Sequence, residues 1–236
     1  MRVRFWGTRG SLPVALSAAE VQAKVAQALL LAQGRRFADL AEASGFAATL
    51  PFAATRTYGG NSSCVELELQ APTREAHEYV LCDLGSGVRP FGNAVLARHG
   101  AKTPNRFHIF MSHLHWDHIM GFPFFTPAYI PGNHIRIYGC HEGLEAALRR
   151  QQDPPSFPVN FDTLGAKIEF VHLQPGQRYD IAGLRVTPKL QLHAGDSYGY
   201  RFERDGKVVV YSTDSEHKLD SAEETESFVR FFFGAD

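Results

Sequence analysis

Residues 2–6, Arg-Val-Arg-Phe-Trp, alternate polar and apolar side chains, the period of a strand, and the run stops at the loop Gly7-Thr8-Arg9-Gly10-Ser11. From Ser17 to Ala48 the period changes. Val21, Val25, Ala28, Leu29 and Ala32 recur at helical spacing, followed by Phe37, Leu40 and Ala41, with Gly34 and Gly45 as stops. This stretch predicts two helices. Pro51 closes it, and Tyr58-Gly59-Gly60-Asn61 turns the chain into a strand at 64–69.

Strands and short helices then alternate. A buried strand at 79–84 is turned by Gly85-Ser86-Gly87 into a helix at 88–99. A strand at 106–111, another at 135–138 and a helix at 142–151, halted by Asp153-Pro154-Pro155, come next. The remainder is rich in strands, at 167–172, 178–181, 184–192, 198–204 and 207–212, and a helix at 222–232 closes the chain. A mixed α/β pattern with many antiparallel strands predicts layered sheets covered by helices.

Composition narrows the classes. A chain of 236 residues with 44% hydrophobic content can bury a sizeable core as one large domain or two small ones. The formal charge of −1, from 24 basic and 25 acidic residues, offers no electrostatic reason to expect nucleic acid or an anionic membrane as a partner. No apolar run approaches a membrane span, and the first residues read as a strand rather than a signal peptide. Cys64, Cys82 and Cys140 form no CxxC pair and are expected as reduced thiols, with the cytoplasm as the default compartment.

The chemistry concentrates in Met111-Ser112-His113-Leu114-His115-Trp116-Asp117-His118, where three of the chain's eleven histidines and a carboxylate fall within six residues. Imidazole and carboxylate are ligands that divalent zinc favours, whereas a histidine-rich surface turn is the plain alternative. In an extended segment His113 and His115 project to the same side and can serve one ion. Asp117 and His118 follow a bend and can face a second position about 3.5–4 Å away. His193 and Asp214 each end a predicted strand, where sites on such scaffolds tend to lie.

HxHxDH, a later lone histidine and a strand ending in Thr213-Asp214 resemble the metallo-β-lactamase superfamily. The stretches 5–13, 58–64, 83–87, 121–125, 197–202 and 211–216 are similar to its phosphodiesterase branch, which includes phosphoribosyl cyclic phosphodiesterases and is related to tRNA 3′-end endonucleases. The resemblance implies an αββα sandwich, a single domain over 1–236 with 14–56 as a helical insert. It implies two divalent ions, zinc foremost with manganese or iron as alternatives. His113, His115 and His193 would hold the first, Asp117 and His118 the second, and Asp214 would bridge them. Asp83 matches an aspartate that props the metal loop from behind. The family pattern ends with a further histidine, and none follows His217 here. The C-terminal end is therefore expected to be incomplete and the second ion weak or missing, with His217 a less favoured substitute.

The expected function is phosphodiester hydrolysis by a metal-bridging hydroxide that Asp117 helps to orient. The expected substrate is a small phosphodiester, with neither nucleic acid nor membrane as a partner. The insert could form a homodimer contact, a lid or a simple packing decoration. Competing readings are a regulatory, non-catalytic module of the same fold and a hydrolase of another ester class. A secreted β-lactam hydrolase would carry a signal peptide, and a tRNA-processing nuclease would need a basic surface or an exosite arm. A glyoxalase-type thioesterase shares HxHxDH but not the surrounding frame. Lesser candidates are Arg9 and Ser11 for a substrate phosphate, Ser197 and Tyr198 for a cleft wall, and Phe122, Phe124 and Phe125 for an apolar pocket. Glu216 and His217 are candidate proton donors. His77, His99, His108, His134, His141 and His172 read as structural or solvated.

Overall fold

A computed structural model describes residues 1–69, 77–216 and 221–236. β1 (Arg2–Gly7) is followed by α1 (Ala18–Leu31), α2 (Leu40–Thr49) and the single turn α3 (Phe52–Thr55). β2 (Cys64–Glu68), β3 (His77–Cys82), α4 (Val88–His99), β4 (Asn105–Phe110) and the short α5 (Trp116–Ile119) come next. β5 (His134–Gly139), α6 (Leu144–Arg150) and β6 (Lys167–His172) follow them. β7 (Tyr179–Ile181), β8 (Leu184–Gln191), β9 (Ser197–Arg204), β10 (Lys207–Tyr211) and α7 (Ala222–Phe232) lie beyond.

The strands form two sheets. Six run in the order β1-β2-β3-β4-β5-β6, antiparallel through β3 and parallel from β3 to β6. The other four form an antiparallel meander, β10-β9-β8-β7. Successive side chains point to opposite faces, and the inner strands β3, β4 and β5 carry apolar residues on both, so the middle of the six-stranded sheet is buried on each side. Tyr79, Leu81, Phe107, Ile109, Ile135 and Ile137 point to one side and pack against Val88, Phe91 and Val95 of α4 and Leu144 and Leu148 of α6. Val80, Cys82, Phe110 and Tyr138 point to the other side, where they meet Leu184, Val186, Tyr200 and Phe202 of the second sheet.

A fourth layer covers the outer face of the meander. Ser221 caps α7 by accepting from the Glu224 N–H. Phe231 is buried over Gly199, where an added Cβ would come within 3.0 Å of the ring. The Arg201 guanidinium donates to the carbonyls of Phe231 and Phe233, both at 2.9 Å, and Lys189 donates to Ser227 at 2.7 Å. The result is the expected αββα sandwich.

The segment between β1 and β2 stands on the surface. α1 opens with a capping box between Ser17 and Glu20, and Lys24 ties it to the carbonyls of Ala53 and Arg56 at the end of α3. The two helices expected here form, with α3 as an unforeseen extra turn, and no residue of α1 or α2 is buried. No helix among the described residues is long and apolar enough to cross a membrane.

Candidate metal centre

The loops that leave β3, β4, β8 and β10 converge at one edge of the sandwich. His113 follows β4 in extended chain, and His115 forms the N-cap of α5, so that Asp117 and His118 lie on its first turn. His193 follows β8, and Asp214 follows β10 in left-handed conformation with φ 40°. The ligand atoms of His113, His115, His193 and Asp214 all lie within 4.8 Å of one another. A second group, meeting the same limit, comprises Asp117, His118 and Asp214. All six residues singled out from the sequence are thus brought together, with Asp214 common to both groups.

The spacings match the chemistry. Asp214 Oδ2 is 3.4 Å from His113 Nε2, 3.7 Å from His118 Nε2 and 3.9 Å from His193 Nε2. His193 Nε2 and His115 Nδ1 are 3.4 Å apart, as are His118 Nε2 and Asp117 Oδ2. Tetrahedral nitrogen and oxygen ligands at zinc bond lengths lie about 3.4 Å apart, so these separations suit ions between the donors. His113 is fully buried, yet its Nε2 has no hydrogen-bond partner, an expensive orphan unless a cation completes it. Burial above all, with the neighbouring His118, lowers the His113 pKa to about 4, which keeps the ring a neutral ligand. Divalent metal fits the residues present.

A buried network holds the loop from behind. Asp83, fully buried and left-handed at φ 64°, accepts at Oδ2 from His118 Nδ1 at 2.6 Å, Ser112 Oγ at 2.7 Å and Tyr211 Oη at 2.6 Å. Its Oδ1 accepts from the Ser112 N–H at 2.7 Å. Ser63 Oγ donates to Oδ2 from 3.3 Å and also meets Tyr211 Oη at 2.6 Å. Burial would raise the Asp83 pKa, but His118, Ser112 and Tyr211 together bring it below its ordinary value. Burial likewise works against charge on His118, and the carboxylates of Asp83, Asp117 and Asp214 reverse this and raise its pKa. Bonding through Nδ1 leaves His118 Nε2 turned toward Asp117 and Asp214.

Two glycines let the β3 and β4 loops nest. A Cβ on Gly85 would lie 2.4 Å from the Asp117 carbonyl oxygen, and one on Gly121 would lie 2.1 Å from that of Gly85. Leu84 N–H donates to the His118 carbonyl, and Gly121 N–H donates to that of Leu84, each at 2.8 Å. The first loop closes on the same site, because the Ser11 N–H donates to Asp117 Oδ2 at 2.8 Å.

The lesser candidates divide. Ser11 meets a candidate ligand, the Asp117 carboxylate, through its backbone. Ser197 and Tyr198 are buried: the Ser197 hydroxyl donates to the Thr213 carbonyl and Tyr198 packs edge-on against His141, so the cleft wall expected of them is not seen. Phe122 and Phe125 are core, while Phe124 is exposed. Glu216 is exposed and pairs through its backbone with Leu192, and His217 lies outside the described residues. Cys64, Cys82 and Cys140 are buried free thiols. His77 and His99 stack on each other, and His108 meets the Tyr138 hydroxyl at 3.0 Å. Sequence reading missed Ser63, Ser112, Tyr211 and the Ser11 N–H as partners of the site. Ser63 and Tyr211 stand inside the family-like stretches 58–64 and 211–216, but partnership across 128 residues between Tyr211 and Asp83 has no local signal.

The model of the beta-lactamase superfamily domain matches residues 79–229. Ribonuclease BN of Escherichia coli O1:K1 / APEC is 31% identical over 154 residues, covering 62% of this chain and 45% of its own length. Ribonuclease Z of Oceanobacillus iheyensis is 29% identical over 161 residues, covering 64% of this chain and 47% of its own. The chain thus spans about half the length of the curated relatives it matches. The short form of human tRNase Z superposes with a TM-score of 0.56 over 99% of this chain and 75% of its own, at 18% identity, which is a likeness of fold. With a family match over most of its length, an αββα sandwich and the His/Asp centre at its edge, the chain belongs to the beta-lactamase superfamily in its metallo-β-lactamase form.

Proposed function

We propose that the chain is a metal-dependent hydrolase acting on a small phosphodiester. The observation that carries this reading is the sharing of Asp214 by two donor groups, an arrangement suited to a pair of neighbouring ions. His113, His115, His193 and Asp214 would hold the first, and Asp117, His118 and Asp214 the second. Divalent ions there supply Lewis acidity, lowering the pKa of water and neutralising charge that develops on phosphoryl oxygens. Zinc suits this imidazole and carboxylate set, with manganese or iron as alternatives.

The chain's own residues do the positioning. Asp117 is oriented by the Ser11 N–H at Oδ2, the oxygen that stands 3.4 Å from His118 Nε2, and this carboxylate would ligate or orient the attacking water. His118 is held in one tautomer by Asp83, which favours Nε2 as the donor. Phosphodiester specificity is supported by the two ribonuclease relatives, because the RNA backbone is linked by phosphodiesters. The near-neutral charge favours a small substrate over a polyanion. The buried free thiols favour a reducing compartment, the cytoplasm.

One observation favours a second reading, a regulatory module of the same fold. Among the described residues the Asp117 group has three donors against four in the other, so the second ion should bind more weakly. Metal content after dialysis, together with turnover of bis(p-nitrophenyl) phosphate at saturating zinc, manganese or iron(II), separates the two. We expect one tightly held ion, a second gained at higher metal concentration, and turnover that rises with it. His113→Ala should lose both metal and turnover. Absence of turnover with every metal would favour the module, and full activity and metal content in His113→Ala would overturn the site itself.

A further inference from the structure

Trp116 stands between two of the candidate ligands, His115 and Asp117, and is 71% exposed. Consecutive Cα atoms are about 3.8 Å apart, so the indole is anchored one residue from a ligand on either side. The three residues that follow it in α5, Asp117, His118 and Ile119, are all buried. The inward face of α5 is therefore taken by them, and Trp116 is left on its open side. Among the described residues its ring packs on no other aromatic side chain and its N–H makes no hydrogen bond.

Local structure does not ask for tryptophan here. The residue has only moderate helix propensity, and α5 is a single turn. The chain's other tryptophan shows the contrast. Trp6 is partly buried, donates from its indole N–H to Glu66 at 2.8 Å and sits edge-on to Phe91 at 5.6 Å. Tryptophan is among the more buried residue types on average, so an exposed indole whose two chain neighbours are both candidate ligands is an informative exception. The Ser11 N–H bond to Asp117 brings the first loop beside α5, and its next residue, Leu12, is 64% exposed. Leu12 and Trp116 thus put exposed apolar side chains on the two segments that the Ser11–Asp117 hydrogen bond joins.

We propose that Trp116 is a specificity-determining residue that stacks a nucleobase, so that the substrate class is a nucleotide phosphodiester. The inference deepens, and rests on, the phosphodiester reading above. An indole face stacks any base by its π-surface, with little preference for sequence. Loss of one such contact lowers affinity on the order of tenfold.

The test compares two substrates with the same leaving group, the p-nitrophenyl ester of thymidine 5′-phosphate and methyl p-nitrophenyl phosphate, on the zinc-loaded chain. In Trp116→Ala the ratio of their kcat/KM values, nucleotide over methyl, should fall about tenfold through KM. Trp116→Phe should restore most of the ratio and Trp116→Leu should not. An unchanged ratio in Trp116→Ala, including an equal loss on both substrates, overturns the inference while leaving the hydrolase reading in place. A binding arm needs no turnover: AMP should quench the exposed tryptophan emission saturably, and ribose 5-phosphate should not. If AMP quenches while neither ester is cleaved, the base site stands and the hydrolase reading fails. If both esters are cleaved in an unchanged ratio and AMP does not quench, the reverse holds.

Discussion

The Tyr211 hydroxyl donates to Asp83 Oδ2 at 2.6 Å, joining the last strand of one sheet to the loop that follows the third strand of the other. The same oxygen accepts from His118 and Ser112, so one buried carboxylate ties both sheets to the candidate metal loop. Tyr211→Phe removes this donor and keeps the ring. Partners behind metal ligands typically change affinity 10- to 100-fold, so zinc affinity should fall by about tenfold with the thermal transition nearly intact. Competition with a chromogenic chelator measures this, and an unaltered zinc affinity would show that Tyr211 only packs.

Gly121→Ala should be far more damaging. Its Cβ would sit 2.1 Å from the Gly85 carbonyl oxygen, a backbone atom that cannot swing away. The loops after β3 and β4 would have to separate, at a cost of about 3 kcal/mol. Denaturant melts should show that loss together with weakened zinc retention. Gly143→Ala, with nothing within 4 Å of its added Cβ, is the control that should change neither.

Phe110→Ala tests the interface between the sheets. The ring is fully buried, with centroids 4.8 Å from Tyr138, 5.4 Å from Tyr200 and 5.1 Å from Phe202. Truncation should cost about 3–5 kcal/mol in urea unfolding. Leu30→Ser in α1, where the side chain is 73% exposed, should stay within about 0.5 kcal/mol of the parent.

Glu66 gives a pH-dependent expectation. Burial raises its pKa above the ordinary 4.5 and Glu68 adds to this, against the Trp6 hydrogen bond and the charges of Arg4 and Arg98. A raised pKa means that the folded state holds the proton more tightly than the unfolded one. The contribution is therefore most favourable below about pH 4.5 and is lost as pH rises through the folded value. Glu66→Gln keeps an acceptor for Trp6 and carries no charge. Its melting temperature relative to the parent should be higher at pH 7.5 than at pH 4, and a difference independent of pH would rule the account out.

The local pattern carried much of this architecture. Alternation marked β1, and strand-like apolar runs bounded by turn residues marked β2 to β5 and β8 to β10, because a buried strand needs apolar side chains of its own. The helices expected at 88–99, after the Gly85-Ser86-Gly87 turn, and at 222–232 form at those positions. His113, His115, Asp117 and His118 were legible because four potential ligands, three imidazoles and a carboxylate, lie within six residues, and His193 and Asp214 because each follows a strand. Other relationships were decided only when the chain folded. Ser11 reaches Asp117 across 106 residues, Tyr211 reaches Asp83 across 128, and Trp116 is left exposed between two candidate ligands. A hydrogen bond between distant backbones or hydroxyls leaves no periodicity behind. Whether an aromatic side chain is buried or free depends on what the rest of the chain brings to it, and only the packed sandwich supplies that.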